Sequence, residues 1–169
     1  GMRVAMVTSY PDFTHPNADQ RLKELQLEQA VVGVAVALGA ELVRVTAGQA
    51  HPETGLAEGI EWAVEGLTKL VETTRGTGIT LVYENHAKPG AWQYTDFSQP
   101  PQIFLEIFRQ TEPVNLGINF DTGNAATFAD DPLAFLQQII KRVMSVHASD
   151  SASRGELRHV LLGTGITPY

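Results

Sequence analysis

Three short runs of mostly apolar residues in this sequence end on a side chain that can bind a metal ion. The residues that follow these runs are Glu84, Asp121 and His147. Two carboxylates and one imidazole can share a divalent cation and leave coordination positions open for the oxygens of a substrate. The pattern therefore indicates a candidate metal site.

A cation in such a site would polarise a substrate carbonyl and stabilise the negative charge that forms when the neighbouring carbon loses its proton. Each residue also has a purely structural interpretation. Glu84 could be a solvated strand end, Asp121 could build an Asx-turn, and His147 could be a core histidine. Because the three recur at equivalent positions in their runs, we expect them to share one site.

Composition limits the cofactor and the partners. The chain has no cysteine, which excludes thiolate ligands and disulfides. Oxygen and imidazole ligands favour Mn²⁺, Mg²⁺, Co²⁺ or Zn²⁺. The net charge of −7 opposes non-specific attraction to nucleic acid or to an anionic membrane, so we expect neither partner. No apolar run approaches the roughly 20 residues of a membrane span and no leader pattern is visible, which predicts a cytoplasmic protein.

Five apolar runs without alternation predict the buried strands of a parallel sheet. The runs begin near residues 3, 41, 79, 114 and 143, and the helical patterns between them cover 19–38, 56–75, 101–110 and 132–141. The buried face of the first helix is expected to consist of Leu27, Val31, Val34 and Leu38. A parallel sheet gathers the carboxyl ends of its strands at one edge, where chemistry occurs in folds of this class.

Four motifs run in order along the chain: Tyr-Glu-Asn-His at 83–86, Phe-Asp-Thr-Gly-Asn at 120–124, His-Ala-Ser-Asp at 147–150, and the segment 159–165. Together they resemble the sugar phosphate isomerase/epimerase family, the xylose isomerase-like TIM barrels. The resemblance implies an α/β fold, a partial (β/α) barrel of about five parallel βα units. It implies a single domain, 1–169, that lacks the first and last barrel units. It also implies that Glu84, Asp121 and His147 bind one divalent cation, whereas the family's fourth ligand, a Glu, has no counterpart here.

The resemblance further implies a metal-dependent sugar isomerase or epimerase in which Glu84 moves the proton. Its partner would be a small sugar or polyol. Because the second proton-transferring Glu is missing, a partial barrel that only binds metal or polyol is an open alternative. A hydrolase like the AP endonucleases of the same fold is another, suggested by histidines near strand ends, namely His15, His51, His147 and His159. Against it, Asn124 stands where those nucleases carry a histidine, and the chain is acidic.

Further residues are candidates for substrate binding, namely Asn124, His159, His86, Trp92 and Arg44. Each has an alternative role. Asn124 could shape a turn, and the two histidines could be ordinary loop residues. Trp92, with Tyr94 and Phe97, could form an apolar wall over a sugar or anchor a helix. Arg44 could be a cation of the pocket or an ion-paired structural residue.

Five strands also predict self-association. They cannot close into a barrel, so they leave two free edges and, we expect, a cleft lined by apolar side chains. The strand residues considered for that lining are Val4, Met6, Val43, Val45, Leu81, Tyr83, Ile118, Phe120 and Val146. Burying such a surface against a second copy is the simplest remedy, and two-fold arrangements are the commonest. We therefore expect a homodimer.

Overall fold

Five parallel strands lie side by side in the order in which they occur along the chain. A computed structural model describes residues 1–169, and its strands are β1 Met6–Thr8, β2 Leu42–Val45, β3 Thr80–Glu84, β4 Gly117–Asp121 and β5 Val143–His147. Its helices are α1 Ala18–Ala37, α2 Leu56–Thr74, α3 Pro101–Gln110, α4 Thr122–Phe128 and α5 Pro132–Ile139, with 3₁₀ turns at Glu112–Val114 and Ile140–Arg142. Consecutive parallel strands with helices between them are the repeating unit of a (β/α) barrel. The predicted partial barrel is confirmed.

Local sequence explains where the helices begin. The side chain of Asn17 caps α1 by accepting hydrogen bonds from the N–H groups of Asp19 and Gln20. The side chain of Asp131 caps α5 by accepting the N–H of Ala134. Pro101 stands in the first turn of α3. Backbone N–H groups in a first turn have no partner within the helix, so the N–H that proline lacks costs no hydrogen bond there. None of the helices combines the length and the apolar character needed to cross a bilayer.

Two strand starts and one helix differ from the prediction. β1 begins at Met6 rather than at residue 3. β4 begins at Gly117 rather than at 114, because Glu112–Val114 forms a 3₁₀ turn that ends on Asn115 in the left-handed conformation, with φ 53°. The chain enters α4 directly after β4, where the sequence indicated a loop. Asp121 therefore serves as the N-cap of a helix.

One face of the sheet packs against the helices and contains the hydrophobic core. Tyr83 stacks on Phe104 of α3 with ring centroids 4.5 Å apart, and Phe120 lies 6.0 Å from Phe135 of α5. Other strand residues in the same buried cluster are Val43, Val45, Leu81 and Ile118. Full burial of such a side chain contributes roughly 1.5–3 kcal/mol to folding. The helix side of the sheet therefore supplies most of the hydrophobic stabilisation.

The inner face of the sheet carries a row of polar side chains. Successive residues of a strand point to opposite faces, so the residues between the core positions point away from the helices. They include Arg44, Glu84, Asn119 and Ser145, which contact one another across the strands. The expectation of a cleft lined by apolar strand residues is wrong. It assigned apolar residues at alternate strand positions to the cleft, and most of those residues face the helices instead.

The buried face of α1 also differs from the prediction. Its buried residues include Glu28 and Ala35. The predicted positions Leu27, Val34 and Leu38 are each more than half exposed. Because α1 has apolar residues on more than one side, their spacing could not identify the side that faces the sheet. An apolar stripe consequently remains on the outer surface of this helix.

β1 and β5 are the edges of the sheet. β1 pairs only with β2, and β5 pairs only with β4. Each edge strand therefore has one side whose backbone N–H and C=O groups lack a partner strand. On the outer face of β5, Met144 and Val146 are 59% and 54% exposed. The open side of the half-barrel is thus apolar at β5 as well as at α1.

Glu28 of α1 is a buried carboxylic acid, with only 2% of its surface exposed. Its Oε2 accepts a hydrogen bond of 2.6 Å from the hydroxyl of Ser9. Burial raises the pKa of Glu28 from 4.5 to about 7. A group whose pKa is raised in the folded state contributes its full stability below the unfolded pKa, and this stability is lost as the pH rises through about 7.

We expect Glu28→Gln to stabilise the protein at alkaline pH. Glutamine keeps an acceptor for Ser9 and cannot ionise, so its free energy of unfolding should exceed that of the wild type by about 3 kcal/mol near pH 9 and match it near pH 4. Urea unfolding at the two pH values measures the difference. The control is Glu72→Gln, which changes an exposed acid on α2 and should leave the pH dependence unaltered. The same gain in both variants, or no gain in either, would contradict the burial argument.

Candidate functional site

The carboxyl ends of β3, β4 and β5 bring Glu84, Asp121 and His147 to one place. One possible ligand atom from each residue lies within 4.8 Å of the others. Strand register explains the meeting, because Asp121 pairs with His147 across β4 and β5 while Glu84 pairs with Asn119, two residues before Asp121. All of these side chains point to the inner face. The three residues singled out in the sequence therefore form one cluster.

Glu84 is 2% exposed, and its contacts converge on one carboxylate oxygen. Oε2 accepts a hydrogen bond from Asn119 Nδ2 at 2.9 Å and lies 3.2 Å from His147 Nδ1. Arg44 Nε lies 2.8 Å from the same oxygen, in an ion pair without hydrogen-bond alignment. Burial alone would raise the pKa of Glu84, but the hydrogen bond to His147 and the charge of Arg44 outweigh burial and lower it. Glu84 is therefore ionised at neutral pH, and none of these contacts uses its Oε1.

Asp121 is likewise held through one oxygen. Its Oδ1 accepts the N–H of Asn124 at 2.8 Å and the hydroxyl of Ser149 at 2.7 Å, and neither contact uses Oδ2. The side chain of Asn85, next to Glu84, donates to the carbonyl of Asp121 at 2.9 Å and accepts its N–H at 2.8 Å. Burial raises the pKa of Asp121 above its ordinary value. Asn85 thus ties the end of β3 to the end of β4 and fixes the spacing of the two carboxylates.

His147 is the most exposed member of the cluster, with 37% of its side chain accessible. The hydrogen bond to Glu84 raises the pKa of His147 above 6.5. The Glu84 carboxylate therefore favours the protonated form of this imidazole. Metal ligands must be deprotonated, so a cation would displace that proton from the contact between His147 and Glu84.

The donor set of this cluster fits a divalent cation. Each carboxylate has one oxygen fixed by protein contacts and a second oxygen that those contacts leave free, which is the outer-shell arrangement that orients metal ligands. Two carboxylate oxygens and one imidazole nitrogen leave further coordination positions for water or for a substrate. The cluster contains no fourth acid or histidine.

A row of polar side chains crosses the inner face beside the cluster, and the sequence analysis missed most of it. Ser145 Oγ donates to Asn119 Oδ1 at 2.6 Å, and Asn119 donates to Glu84. Arg44 completes the row on β2 by its ion pair with Glu84. Asn119 and Ser145 could have been found from the sequence, because each stands two residues before a predicted ligand and so shares its face.

An aromatic group stands beside this row. The ring of Tyr10, in the loop after β1, meets the rings of His86 and Trp92 edge-on at 5.4 and 6.2 Å. The guanidinium of Arg44 lies 4.2 Å from the Tyr10 centroid. Three of the predicted substrate-binding residues are therefore brought together by Tyr10, which the sequence analysis did not single out. Phe97 is buried in the core and anchors α2 instead.

Asn124 is buried directly behind Asp121. Its backbone N–H donates to the Asp121 carboxylate, which caps α4, while its own side-chain Oδ1 has no hydrogen-bond partner. Asn124 lines a cavity of about 10 Å³ together with His86 and Ser98. That volume is roughly the minimum for one water molecule. Asn124 therefore shapes the start of α4 and also keeps one polar atom available.

The loop after β5 is folded around the carboxylate of Asp150. This carboxylate accepts four backbone N–H groups, those of Ser151, Gly163, Gly165 and Thr167. Although burial opposes it, these donors lower the pKa of Asp150 to about 2. A Cβ on Gly165 would lie 2.2 Å from the Ser151 carbonyl oxygen, so the loop requires glycine there. His159 of the same loop is exposed, and no hydrogen bond or ion pair joins it to the cluster.

Two other histidines meet at a separate place. His51 Nε2 lies 2.8 Å from Asp12 Oδ2, and the His15 ring lies 4.8 Å from that of His51. Asp12 also accepts two hydrogen bonds from Gln49, which ties the loops after β1 and β2 together. The metal cluster contains His147 as its only histidine. The geometry therefore gives no support to the AP-endonuclease-like alternative, which depended on several histidines meeting.

The sequence matches a family model over residues 1–169, and that family is the xylose isomerase-like TIM barrel. Among curated relatives, an uncharacterised protein of Methanocaldococcus jannaschii is 29% identical over 174 residues, which cover 97% of this chain and 56% of that protein. An inosose dehydratase of Lacticaseibacillus casei is 25% identical over 127 residues, which cover 68% of this chain and 40% of the enzyme. The chain thus spans about half the length of these relatives.

Solved structures share the fold at low sequence identity. A D-tagatose 3-epimerase-like protein superposes with a TM-score of 0.79 at 22% identity, covering 96% of this chain and 62% of that one. The IOLI protein, whose structure holds a zinc atom, superposes with a TM-score of 0.82 at 16% identity, covering 98% of this chain and 60% of that one. With its consecutive parallel βα units and a family match over residues 1–169, the chain belongs to the xylose isomerase-like TIM barrel family.

Proposed function

We propose that the protein binds one divalent cation through Glu84, Asp121 and His147 and catalyses proton transfer on a small sugar or polyol. The observation that carries this proposal is the convergence of the three ligand atoms within 4.8 Å, with one oxygen of each carboxylate left free. Mn²⁺, Mg²⁺, Co²⁺ and Zn²⁺ all suit the donor set. The zinc atom of the related IOLI structure makes Zn²⁺ one of the first ions to try.

The class of reaction follows from the groups around the cluster. When bound, the cation would polarise a carbonyl oxygen of the substrate. Glu84 is buried and ionised, and Arg44 and Asn119 hold it in place, so this carboxylate is the candidate base for a proton on the neighbouring carbon. Isomerisation, epimerisation and dehydration next to a carbonyl all begin with the loss of such a proton. Relatives named as epimerase-like and as a dehydratase agree with this shared first step.

The substrate would lie between the ligand cluster and the aromatic group. Trp92 and Tyr10 offer ring edges and faces to the C–H groups of a sugar, whereas Arg44 and His86 offer donors to hydroxyl oxygens. Asn124 adds a buried side-chain carbonyl oxygen that has no hydrogen-bond partner. The role of His159 stays a prediction. A ligand with several vicinal hydroxyls fits this mixture of apolar rings and hydrogen-bonding groups.

Metal binding tests the ligand assignment directly. Wild-type protein titrated with Mn²⁺ should bind one ion per chain, and Asp121→Ala should bind it at least about tenfold more weakly, since even outer-shell changes at metal sites cost that much. Calorimetry or the electron paramagnetic resonance signal of free Mn²⁺ gives the affinities. Asp130→Ala, which removes an exposed acid before α5, is the control and should bind like the wild type. Equal binding by all three proteins would exclude Asp121 as a ligand.

Proton exchange separates an enzyme from a protein that only binds. In D₂O with Mn²⁺, wild-type protein should incorporate deuterium next to the carbonyl of at least one compound from a panel of ketoses, aldoses and keto-polyols. Glu84→Gln should slow this exchange by about 10²–10⁴-fold, the usual contribution of a general base. Nuclear magnetic resonance of the sugar measures the exchange. Tight Mn²⁺ binding without exchange on any compound would favour the non-catalytic metal- or polyol-binding alternative.

We further propose that two copies of the chain associate. Support comes from the exposed apolar stripe of α1 and from Met144 and Val146 on β5, which flank the open side of the half-barrel. Both edge strands also have unpaired backbone groups that a second copy could cover.

Light scattering of the protein as it elutes from a size-exclusion column measures its molar mass and so tests this proposal. The expected mass is twice the chain mass of 18.4 kDa. Val34→Glu or Met144→Glu should shift the equilibrium towards the monomer, because a charge in an apolar interface opposes association. Glu72→Gln serves again as the exposed control. A wild-type species that stays at 18.4 kDa at high concentration would contradict the proposal.

A further inference from the structure

Asp96 is a buried carboxylic acid that lies outside the metal cluster, in the loop between β3 and α3. Its side chain is 0% exposed, and no lysine or arginine forms an ion pair with it. Its backbone is fixed from two sides, because it bridges Gln49 of the loop after β2 and its N–H donates to the carbonyl of Ala87 at 2.6 Å. A carboxyl group in such a place has a defined position and no compensating charge.

The two oxygens of Asp96 have different surroundings. Oδ1 accepts the N–H of Ser98 at 2.8 Å and the Ser98 hydroxyl at 2.7 Å. Oδ2 is buried without a hydrogen-bond partner. It faces His86 Nδ1 at 3.9 Å, and that nitrogen is also buried without a partner. A buried polar group without a partner is costly, so two that face each other have a strong reason to bond.

Tyr83 provides a third unpaired group near this contact. Its hydroxyl is buried without a hydrogen-bond partner, although it stands at the end of β3 close to the same acid. Burial, and then the proximity of Asp96, raise the pKa of Tyr83 well above its ordinary value. The phenol therefore stays protonated and cannot serve as an anion here.

We propose that Asp96 is a positioning residue for His86: its neutral carboxyl group donates a hydrogen bond from Oδ2 to Nδ1 and thereby fixes the ring as the tautomer with its proton on Nε2. A movement of roughly 1 Å closes the 3.9 Å contact to hydrogen-bond length. The inference rests on the proposed function, in which His86 contacts the substrate. Nε2–H is then a fixed donor towards a hydroxyl or carbonyl oxygen beside Glu84.

The neutral form of Asp96 follows from its surroundings. Ionising a carboxyl group away from water and without a cation is costly, so such groups keep their proton. In agreement, burial raises the pKa of Asp96 from 3.8 to about 8. A protonated carboxyl whose Oδ1 already accepts from Ser98 can only place its proton on Oδ2, the oxygen that faces His86. Asp96 Oδ2 therefore carries the proton to donate, and His86 Nδ1 is the nitrogen that accepts it.

The tautomer of His86 can be measured in the metal-free protein. Long-range ¹H–¹⁵N correlation spectra of protein with ¹⁵N-labelled histidine, recorded near pH 7, report which ring nitrogen carries the proton and whether the other accepts a hydrogen bond. The chain has five histidines, and His86→Gln identifies the signals of His86 by their loss. Wild type should show a protonated Nε2 and an Nδ1 that accepts a hydrogen bond.

The variants distinguish positioning from a general structural effect. In Asp96→Asn the amide N–H replaces the acid O–H, so both nitrogen signals of His86 should stay close to those of the wild type. Asp96→Ala should move the Nδ1 signal to that of an imine nitrogen without a donor, and Asp130→Ala should change nothing. Circular dichroism confirms that each variant is folded. A wild-type ring protonated on Nδ1, or unchanged His86 signals in Asp96→Ala, would overturn the proposal.

The wild type and the conservative variant decide the question even where Asp96→Ala does not fold. If Asp96→Asn and wild type carry the proton on different nitrogens, the acid is not the donor and the proposal fails. Because the experiment uses neither metal nor substrate, a failed Mn²⁺ titration or absent proton exchange leaves it standing. Conversely, if His86 carried its proton on the other nitrogen, this proposal would fail but the proposal of a metal site would be unaffected.

Discussion

The charge of the buried Glu84 carboxylate is the constraint on which the inner face of this protein depends. A buried ion must be paired and hydrogen-bonded, and three side chains from β2, β4 and β5 do this at a single oxygen. Arg44 is fixed in turn by donating to the carbonyl of Ser9 at 2.8 Å. The loop after β1 is therefore part of the same network. These contacts make burial of the charge tolerable and leave the other oxygen, Oε1, without a protein partner among them.

The two carboxylates of the cluster have opposite electrostatic surroundings. Positive and hydrogen-bonding partners lower the pKa of Glu84, whereas burial raises that of Asp121 despite its N-cap contacts. Without a cation, the inner face thus carries one firmly ionised acid and one that gains a proton more readily. A divalent ion would compensate both acids at once and would release the proton held between His147 and Glu84. Metal binding at this site would accordingly be coupled to proton release.

The sequence was enough to predict that Glu84, Asp121 and His147 lie together, because the arrangement of parallel strands in a sheet is tightly constrained. Once the runs before Glu84, Asp121 and His147 are strands of one sheet, their ends must meet at one edge. The side of α1 that faces the sheet could not be predicted from the sequence, because the helix is apolar on more than one side and buries the acid Glu28. The polar row was accessible in principle. Asn119 stands two residues before Asp121, and the two-residue period of a strand therefore predicts that both lie on one face. A search for apolar residues alone overlooks such polar positions.

Loop contacts were the hardest to anticipate, since they depend on partners distant in sequence. Gln49 accepts the N–H groups of Gln93 and Tyr94 while donating to Asp12, so one side chain links three loops. These links place the aromatic group and hold Asp96 beneath it. No local pattern in the sequence signals them, because glutamine is common in exposed loops and its contacts are set by the tertiary fold.

β5 is held to the sheet on one side only, yet the loop that follows it returns to the start of α4. The Tyr169 hydroxyl donates to the carbonyl of Ser149 at 2.6 Å, and Thr122 donates to the same carbonyl at 2.7 Å. His147 consequently belongs to a locally cooperative unit at the sheet edge, whereas Glu84 and Asp121 belong to the central strands. Such edge units open more often than the core. A cation that joins the two parts would depopulate their opened states, so occupancy of the site and order of the edge are thermodynamically linked.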